Sequence, residues 1–559
     1  MTTTEPPATA RPAGNSEPPG NRLPYGARHR SAAAQRASSM PAHKYRQYRP
    51  LGLPDRQWPD RVATRAPLWC SVDLRDGNQA LLDPMTMASR QELFRLLVRL
   101  GFKEIEVGMP VSCRADHDFV RWLARSGEVP DDVTPQVLVP MRPDLIAETV
   151  RALRGLPRAI MQVFHPTSTV QRRVVFRATR AEVKRLALNG AELSMRLRDG
   201  LPGTRLSLQY GPESFTQTEP EFALEVCNAV LDLWRPTADD DVRINLPATV
   251  EAFPAHEFAD RIEWMHRNLV FRDRILLGLH PHNDRGCGVA AAEAALLAGA
   301  DRVEGTLFGN GERSGNVCLV TLAMNLFSQG IDPRLELGGL DDIRRVAERC
   351  TRIPVACRHP WAGELVYTSL AGSHQDAIAK GLRDRDESGS PLWEVPYLPI
   401  DPHDIGRDYQ ALVRISNQSG KGGLAYLMRT EHGLELPRGV QVELAEAVGR
   451  EMDDRGGELD PAALWRMFAR HFLPPVDQRW MGLDPEEVLT RLAERTGVRV
   501  QVLDVIEQPS ATPASACATF CQVRAGRRTK WGVGIAGDRA VSRLSAVYSG
   551  LHRLGALVG

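Results

Sequence analysis

An α/β barrel of the TIM (β/α)8 type is the fold this sequence predicts, on three observations. Between Leu68 and Thr306, short apolar segments alternate with stretches of helical periodicity. Eight such units in about 260 residues fit the size of that barrel. Polar residues then gather at the ends of those segments, where such a barrel carries its chemistry. The alternative, a doubly wound open sheet, lacks the GxGxxG expected after its first strand.

The first strand is expected at 68–73. Its helix covers roughly 89–100, with Leu93, Leu96, Leu97 and Leu100 on one face, and Gly101 stops it. Further strands are expected at 104–108, 136–140, 159–164, 205–210, 242–246, 275–280 and 302–306, each followed by a helix. Beyond about Asp332 the strands stop. Helices are expected at 340–350, within 354–381, and at 440–452 and 460–472, with a polar connector at 386–399. The last segment reads as a helix, a β-rich stretch at 498–505, a strand pair around Phe520 and Trp531, and a helix from Arg539. The expected domains are a disordered tail (1–44), a barrel with its N-terminal arm (45–335), helical linker subdomains (336–475) and a small, shortened α+β C-terminal domain (476–559). Within the arm, Tyr45 to Trp58 reads as an extended segment lying on a surface.

The chain has 559 residues, is 43% hydrophobic and 25% charged, and carries a formal net charge of +1. That balance gives no case for a nucleic-acid or membrane partner, and no apolar run is long enough to span a bilayer. The N-terminal residues lack the apolar segment of a secretory signal. Nine scattered cysteines form no disulfide framework, so reduced thiols and a cytoplasmic location are expected.

The stretch Gly278 to Val317 carries the strongest chemical pattern. His280 and His282, at i and i+2 on a strand end, share one face. The first strand ends in Arg75-Asp76-Gly77-Asn78-Gln79, the fifth in Glu213, the sixth in Asn245 and Thr249, and the eighth runs into Asn310, Glu312, Arg313 and Asn316. Singly, these could be helix caps or surface residues. Together at strand ends they point to a catalytic metal site. Asp76, both imidazoles and the Asn316 amide oxygen make a mixed N/O set. It suits Mg²⁺ first, and Mn²⁺ or Zn²⁺ as alternatives, with positions left for substrate. A 2-oxo acid fits such a site, with Arg75 steadying the developing oxyanion. The loop Gly309-Asn310-Gly311-Glu312-Arg313-Ser314-Gly315 lacks the Lys-Ser/Thr of a P-loop. Asn310, Gly311 and Arg313 are expected to face an anionic cofactor or to close the metal side.

These motifs resemble a known family. Ser71-Val72-Asp73-Leu74-Arg75-Asp76-Gly77-Asn78-Gln79 is similar to the signature of metal-dependent acyl-CoA aldol enzymes built on this barrel. Asn245 to Glu251, His280-Pro281-His282-Asn283-Asp284-Arg285-Gly286, Gly309 to Asn316, Pro212 to Thr216 and Gly372-Ser373-His374-Gln375-Asp376 resemble the 2-isopropylmalate synthase branch. The resemblance implies condensation of acetyl-CoA with 3-methyl-2-oxobutanoate and hydrolysis of the thioester, giving 2-isopropylmalate and CoA. It implies metal binding by Asp76, His280, His282 and Asn316, and charge stabilisation by Arg75. It also implies an acid/base pair of Glu213 and His374, a neighbouring tyrosine in Tyr409, and a substrate contact at Thr249. His374 lies beyond the barrel, and the resemblance implies a homodimer in which it reaches the partner chain's site.

Two departures from the family pattern stand out. Where the family has His-Phe-Tyr-Asn-Ser-Thr-Ser, this chain has Gln162-Val163-Phe164-His165-Pro166-Thr167-Ser168. Gln162 and His165 are therefore expected to touch an altered keto-acid pocket. Strand two likewise ends in Gly108-Met109-Pro110-Val111-Ser112-Cys113. The second departure is the short C-terminal region, which implies weak or absent leucine inhibition. Alternative readings are a sibling synthase with another 2-oxo acid, a metal-dependent hydrolase on the same barrel, and a silent binding paralogue.

Overall fold

The computed structural model describes residues 38–369, 372–409, 421–455, 461–477, 480, 482–496, 500–509 and 517–555. Most of the expected tail, and the start of the stretch expected at 498–505, lie outside these residues. The chain divides at Arg49. Before that point, the described residues hold one short turn, Ala42–Lys44.

In the larger unit, β1 (Leu68–Ser71), β2 (Glu104–Gly108), β3 (Thr134–Pro140), β4 (Arg158–Pro166), β5 (Arg205–Glu213), β6 (Val242–Ala248), β7 (Ile275–Pro281) and β8 (Arg302–Gly305) close into a barrel. The strands run parallel in sequence order, and β1 pairs with both β2 and β8. All eight fall where the sequence placed them.

Alternation along each strand explains why the barrel closes. Ile105, Val107, Val139, Met161, Leu208 and Leu279 share one buried core with helix residues such as Leu93 and Phe222. Their strand neighbours Glu104, Glu106, Gln136, Gln162, Gln209, Asn245, Arg302 and Glu304 fill the interior instead, all of them buried. Arg302, wholly enclosed, donates from Nη1 to Glu304 (2.6 Å), from Nη2 to Gln136 (2.7 Å) and from Nε to Glu104. Arg243 donates to Glu104 at 2.6 Å. Buried charges cost several kcal/mol each unless paired in this way. The interior is thus a polar floor beneath the mouth, and the apolar core is the layer between strands and helices.

An arm crosses the outside of the barrel, as the sequence suggested for its later residues. The amides of Leu51 and Gln57 donate to Glu257 (3.0 Å) and Glu263 (2.9 Å), and Trp58 Nε1 donates to Asp260 (2.8 Å), all on the helix Ala255–Asn268. All nine cysteines are free thiols. No described helix is long and apolar enough to cross a membrane.

After the barrel come the helices Leu340–Thr351, Gly372–Ser388, Lys421–His432, Arg438–Arg455 and Pro461–Phe472. The sequence reading passed over Lys421–His432, because its opening glycines mask the helical spacing of the buried Leu424, Leu427 and Met428. A helix at Pro485–Thr496 then leads to an antiparallel sheet in the order β11-β10-β9. Its strands are β9 (Val500–Gln508), β10 (Cys517–Ala525) and β11 (Arg528–Ala536). The helix Arg539–Leu554 packs on this sheet. It comes so close that a Cβ on Gly532 or Gly534 would lie 2.1 Å or 2.0 Å from its backbone oxygens.

His471 makes this last assembly sensitive to acid. Its Nε2 accepts a hydrogen bond from Arg553 at 2.8 Å. Burial, then the charges of Arg553, Arg450 and Lys530, pull it down to about 4. Glu443, at 2.6 Å from Arg553, is the counter-charge. The folded value lies below the unfolded one of about 6.5, so protonation favours the unfolded chain. Stability held above about pH 6.5 is therefore lost as pH falls toward 4. Melting curves at pH 7 and pH 5 should show a smaller acid loss for His471→Gln than for the parent, and equal losses would refute this.

Candidate active site

The site begins where β1 ends. Asp73–Gly77 leaves the strand as a wide helical turn. Asp73 anchors it, accepting from the Leu307 amide (3.0 Å) and the Ser71 hydroxyl (2.8 Å), which ties the end of β1 to the segment after β8. Burial pushes Asp73 up to about 6 in spite of those bonds. Arg75 donates from Nη1 to Asp76 Oδ1 at 2.5 Å and from Nε to Glu106. Gly77 accepts from Asn310 Nδ2 at 2.8 Å, so the glycine loop is fastened to the same turn.

β7 supplies His280 on its inner face, and His282 follows one residue past its end. His280 Nε2 lies 3.3 Å and His282 Nε2 3.5 Å from Asp76 Oδ2, and the ring centres are 5.3 Å apart. The three ligand atoms lie within 4.8 Å of one another, in a buried cluster able to hold a metal ion. Burial opposes charge on each group; the neighbours override it at Asp76 and His280, but not at His282. Arg75 and the imidazoles hold Asp76 well below the usual carboxylate range. Asp76 and Glu304 outweigh burial at His280 and raise it to about 9. Burial and the adjacent His280 lower His282 to about 4.

The loop after β8 places Asn316 beside this cluster, bridged through backbone to His282. Its amide nitrogen donates to Gly309 (3.1 Å) and its Nδ2 to Asn310 (3.0 Å). Its Oδ1 is left buried without a hydrogen-bond partner, as is Nδ1 of His282. Gly311 is required there, because a Cβ would lie 2.2 Å from Asn316 Nδ2. An orphaned amide oxygen on a residue bridged to His282, itself in the cluster with Asp76 and His280, fits a divalent cation. Asn310 and Gly311 thus shape the seat of Asn316. Arg313 donates to Asp284 (2.6 Å) and to the Thr249 carbonyl.

Glu213 ends β5 on the face that carries Gln209 and Gly211, toward the mouth. Burial raises its pKa, with Gln171 and Arg75 pulling the other way. Thr249 Oγ1 accepts from the Ser214 amide at 2.9 Å, which ties the ends of β5 and β6 together. Gln162 lies in the floor, where its Oε1 accepts from Gln136 (3.3 Å), Asn245 (3.4 Å) and Gln209.

His165 is a correction. It lies three residues beyond the inward Gln162, so alternation turns it away from the mouth. It packs on Tyr210 at 5.9 Å, itself part of the strand–helix core, with both ring nitrogens buried. Burial lowers it to about 4. The side chain from this stretch that shares the inward face with Gln162 is Phe164, half-buried at the mouth.

His374 is not gathered with these groups. His374 is exposed on the helix Gly372–Ser388 and stacks on Tyr397 (4.0 Å, 22°). Tyr409 is half-buried against the barrel core. Two groups that the sequence reading passed over are Glu106, which holds Arg75, and Glu304, which accepts a hydrogen bond of 2.7 Å from His280 Nδ1. The signal was present: Glu104-Ile105-Glu106 and Arg302-Val303-Glu304 each put two charges at i, i+2 on an otherwise apolar strand.

Residues 66–347 match the HMGL-like family, and residues 364–429 match the alpha-isopropylmalate synthase post-catalytic domain-like family. The 2-isopropylmalate synthase of Parafrankia sp. (strain EAN1pec) is 49% identical over 562 residues, covering 93% of this chain and 98% of that one. That of Mycobacterium leprae (strain TN) is 46% identical over 565 residues, covering 93% of each. Likeness at this level runs through the barrel, the linker and the C-terminal region alike, and the chain belongs to the 2-isopropylmalate synthase family.

Proposed function

We propose that the barrel mouth condenses acetyl-CoA with 3-methyl-2-oxobutanoate and hydrolyses the thioester to give 2-isopropylmalate and CoA. The observation that carries this reading is the buried Asp76–His280–His282 cluster beside the orphaned Asn316 oxygen. A divalent cation held by these four residues, Mg²⁺ in the first instance and Mn²⁺ or Zn²⁺ otherwise, would polarise the keto group of the oxo acid.

Charge bookkeeping supports such an occupant. In the enclosed network the guanidinium groups of Arg75, Arg243 and Arg302 face the carboxylates of Asp76, Glu104, Glu106 and Glu304. With neutral imidazoles the network keeps one formal negative charge. A divalent cation together with one substrate carboxylate would bring it to neutrality.

The remaining roles follow from position. Glu213, poised by burial, accepts the methyl proton of acetyl-CoA so that the resulting carbon nucleophile attacks the keto carbon. Arg75, locked by Asp76 and Glu106, faces the oxygen that gains negative charge. The Thr249 hydroxyl keeps its own hydrogen for the substrate. The exposed setting of His374 supports a homodimer in which the partner's His374 completes the acid/base pair, with Tyr409 near it.

A sibling reading, with another 2-oxo acid, is favoured by Phe164 at the mouth and Gln162 in the floor beneath it. A methylene in such a pocket is worth only about 1–3 kcal/mol. Thiol release should be measured against a panel of 2-oxo acids. The highest kcat/KM is expected for 3-methyl-2-oxobutanoate. A more than tenfold preference for another acid would move the assignment to the sibling. No thiol release with any acid would overturn both.

A further inference from the structure

We propose that Glu304 is a positioning residue that fixes His280 in its Nδ1–H tautomer and thereby sets the cation affinity of the site. The inference rests on the reading of Asp76, His280, His282 and Asn316 as a cation site.

Glu304 is wholly enclosed in the floor, and its carboxylate is surrounded by donors. Oε1 accepts from Arg302 Nη1 (2.6 Å), Gln136 Nε2 (2.9 Å) and Gln209 Nε2 (3.0 Å). Oε2 accepts from Asn245 Nδ2 at 2.9 Å and lies 2.7 Å from His280 Nδ1. Arginine and amide nitrogens have only hydrogens to offer. The Arg302 guanidinium and the three amide donors favour the charged carboxylate, which can only accept. The hydrogen in the His280–Glu304 contact therefore sits on Nδ1. Nε2, 3.3 Å from Asp76, is left as the nitrogen that faces the cluster, where a cation would take the place of its proton.

The same contact fixes the ring plane. Glu304 is held by four further donors from β3, β5, β6 and β8, so it cannot follow His280 if the ring turns. His282 has no such support, because its Nδ1 is buried without a partner. One imidazole is thus locked by the floor, while the other is held through the backbone of its loop.

In Glu304→Gln an amide replaces one accepting oxygen. If its NH2 faces His280, it donates to Nδ1 and drives the hydrogen onto Nε2, into the cluster. If it faces the other way, it meets the donors of Arg302, Gln136 and Gln209. Either arrangement degrades the ligand.

The test is Mn²⁺ binding to metal-stripped protein, with free Mn²⁺ counted by electron paramagnetic resonance, beside turnover at rising Mn²⁺. The parent should bind the ion, and E304Q should bind it about 10–100-fold more weakly. Turnover of E304Q should recover most of its parental value at saturating Mn²⁺, which a merely structural defect would not allow. Glu304→Asp, whose shorter arm withdraws from Nδ1, should show the same shift and serves if E304Q does not fold. Failure of the parent to bind Mn²⁺ would overturn the cation reading itself. Parental binding with affinity unchanged in folded E304Q or E304D would overturn only the role of Glu304. A low kcat that no excess of Mn²⁺ restores would also overturn it.

Discussion

Asp76→Asn is expected to lower turnover about 10³-fold or more while leaving the barrel folded. A cation polarising a carbonyl is worth several kcal/mol at the transition state, and each 1.36 kcal/mol is tenfold in rate. Asp76 is the anionic member of the buried cluster, with both imidazole Nε2 atoms within 3.5 Å of its Oδ2. Asparagine keeps the shape and an oxygen but removes the charge that opposes Arg75 at 2.5 Å. The enclosed network then has three guanidinium groups against three carboxylates, and a divalent ion would carry it further from neutrality. Mn²⁺ binding and thiol release should therefore fall together. A folded variant, shown by a melting temperature within a few degrees of the parent, that kept turnover within tenfold would sink the cation assignment at Asp76.

Much of this site was legible in the sequence, for a physical reason. A closed parallel barrel puts strand ends at one mouth, so Asp76, Glu213, Thr249, His280 and Asn316 could be grouped without knowing any distance. The i, i+2 rule placed both imidazoles on one face at the end of β7. The same rule, applied from Gln162, would have turned His165 outward; reading the stretch as a block of departures hid its parity. Glu304 and Glu106 were missed because the strands were read as apolar runs. Charges at 104, 106, 302 and 304 are costly inside a barrel unless paired, and the pairs Glu104–Arg302 and Glu106–Arg75 join segments apart in sequence. Nor could sequence show that Gly311 exists to let Asn316 approach, since the clash it avoids is with a side chain five residues away.

Glu213→Gln separates binding from proton transfer and is expected to lower kcat by about 10²–10⁴-fold, the usual worth of a positioned base. Glutamine has nearly the same volume, so the wall beside Gly211 keeps its shape. It has no carboxylate to take a proton from the acetyl methyl group. Affinity for the 2-oxo acid, measured by calorimetry, should change little, because the proposed seat of that acid lies at Asp76, His280 and His282. Exchange of the acetyl-CoA methyl hydrogens with deuterated solvent, in the presence of an unreactive 2-oxo acid, should stop. The pH profile carries a second signature. Burial raises Glu213 above the ordinary glutamate range, so activity should rise with pH along a limb displaced upward from about 4.3. That limb belongs to loss of the Glu213 proton and should vanish in the variant. If Glu213→Gln keeps both exchange and turnover within threefold of the parent, the base lies elsewhere. The exposed His374 of the linker would then be the group to substitute next, and loss of exchange in His374→Ala would move the base there.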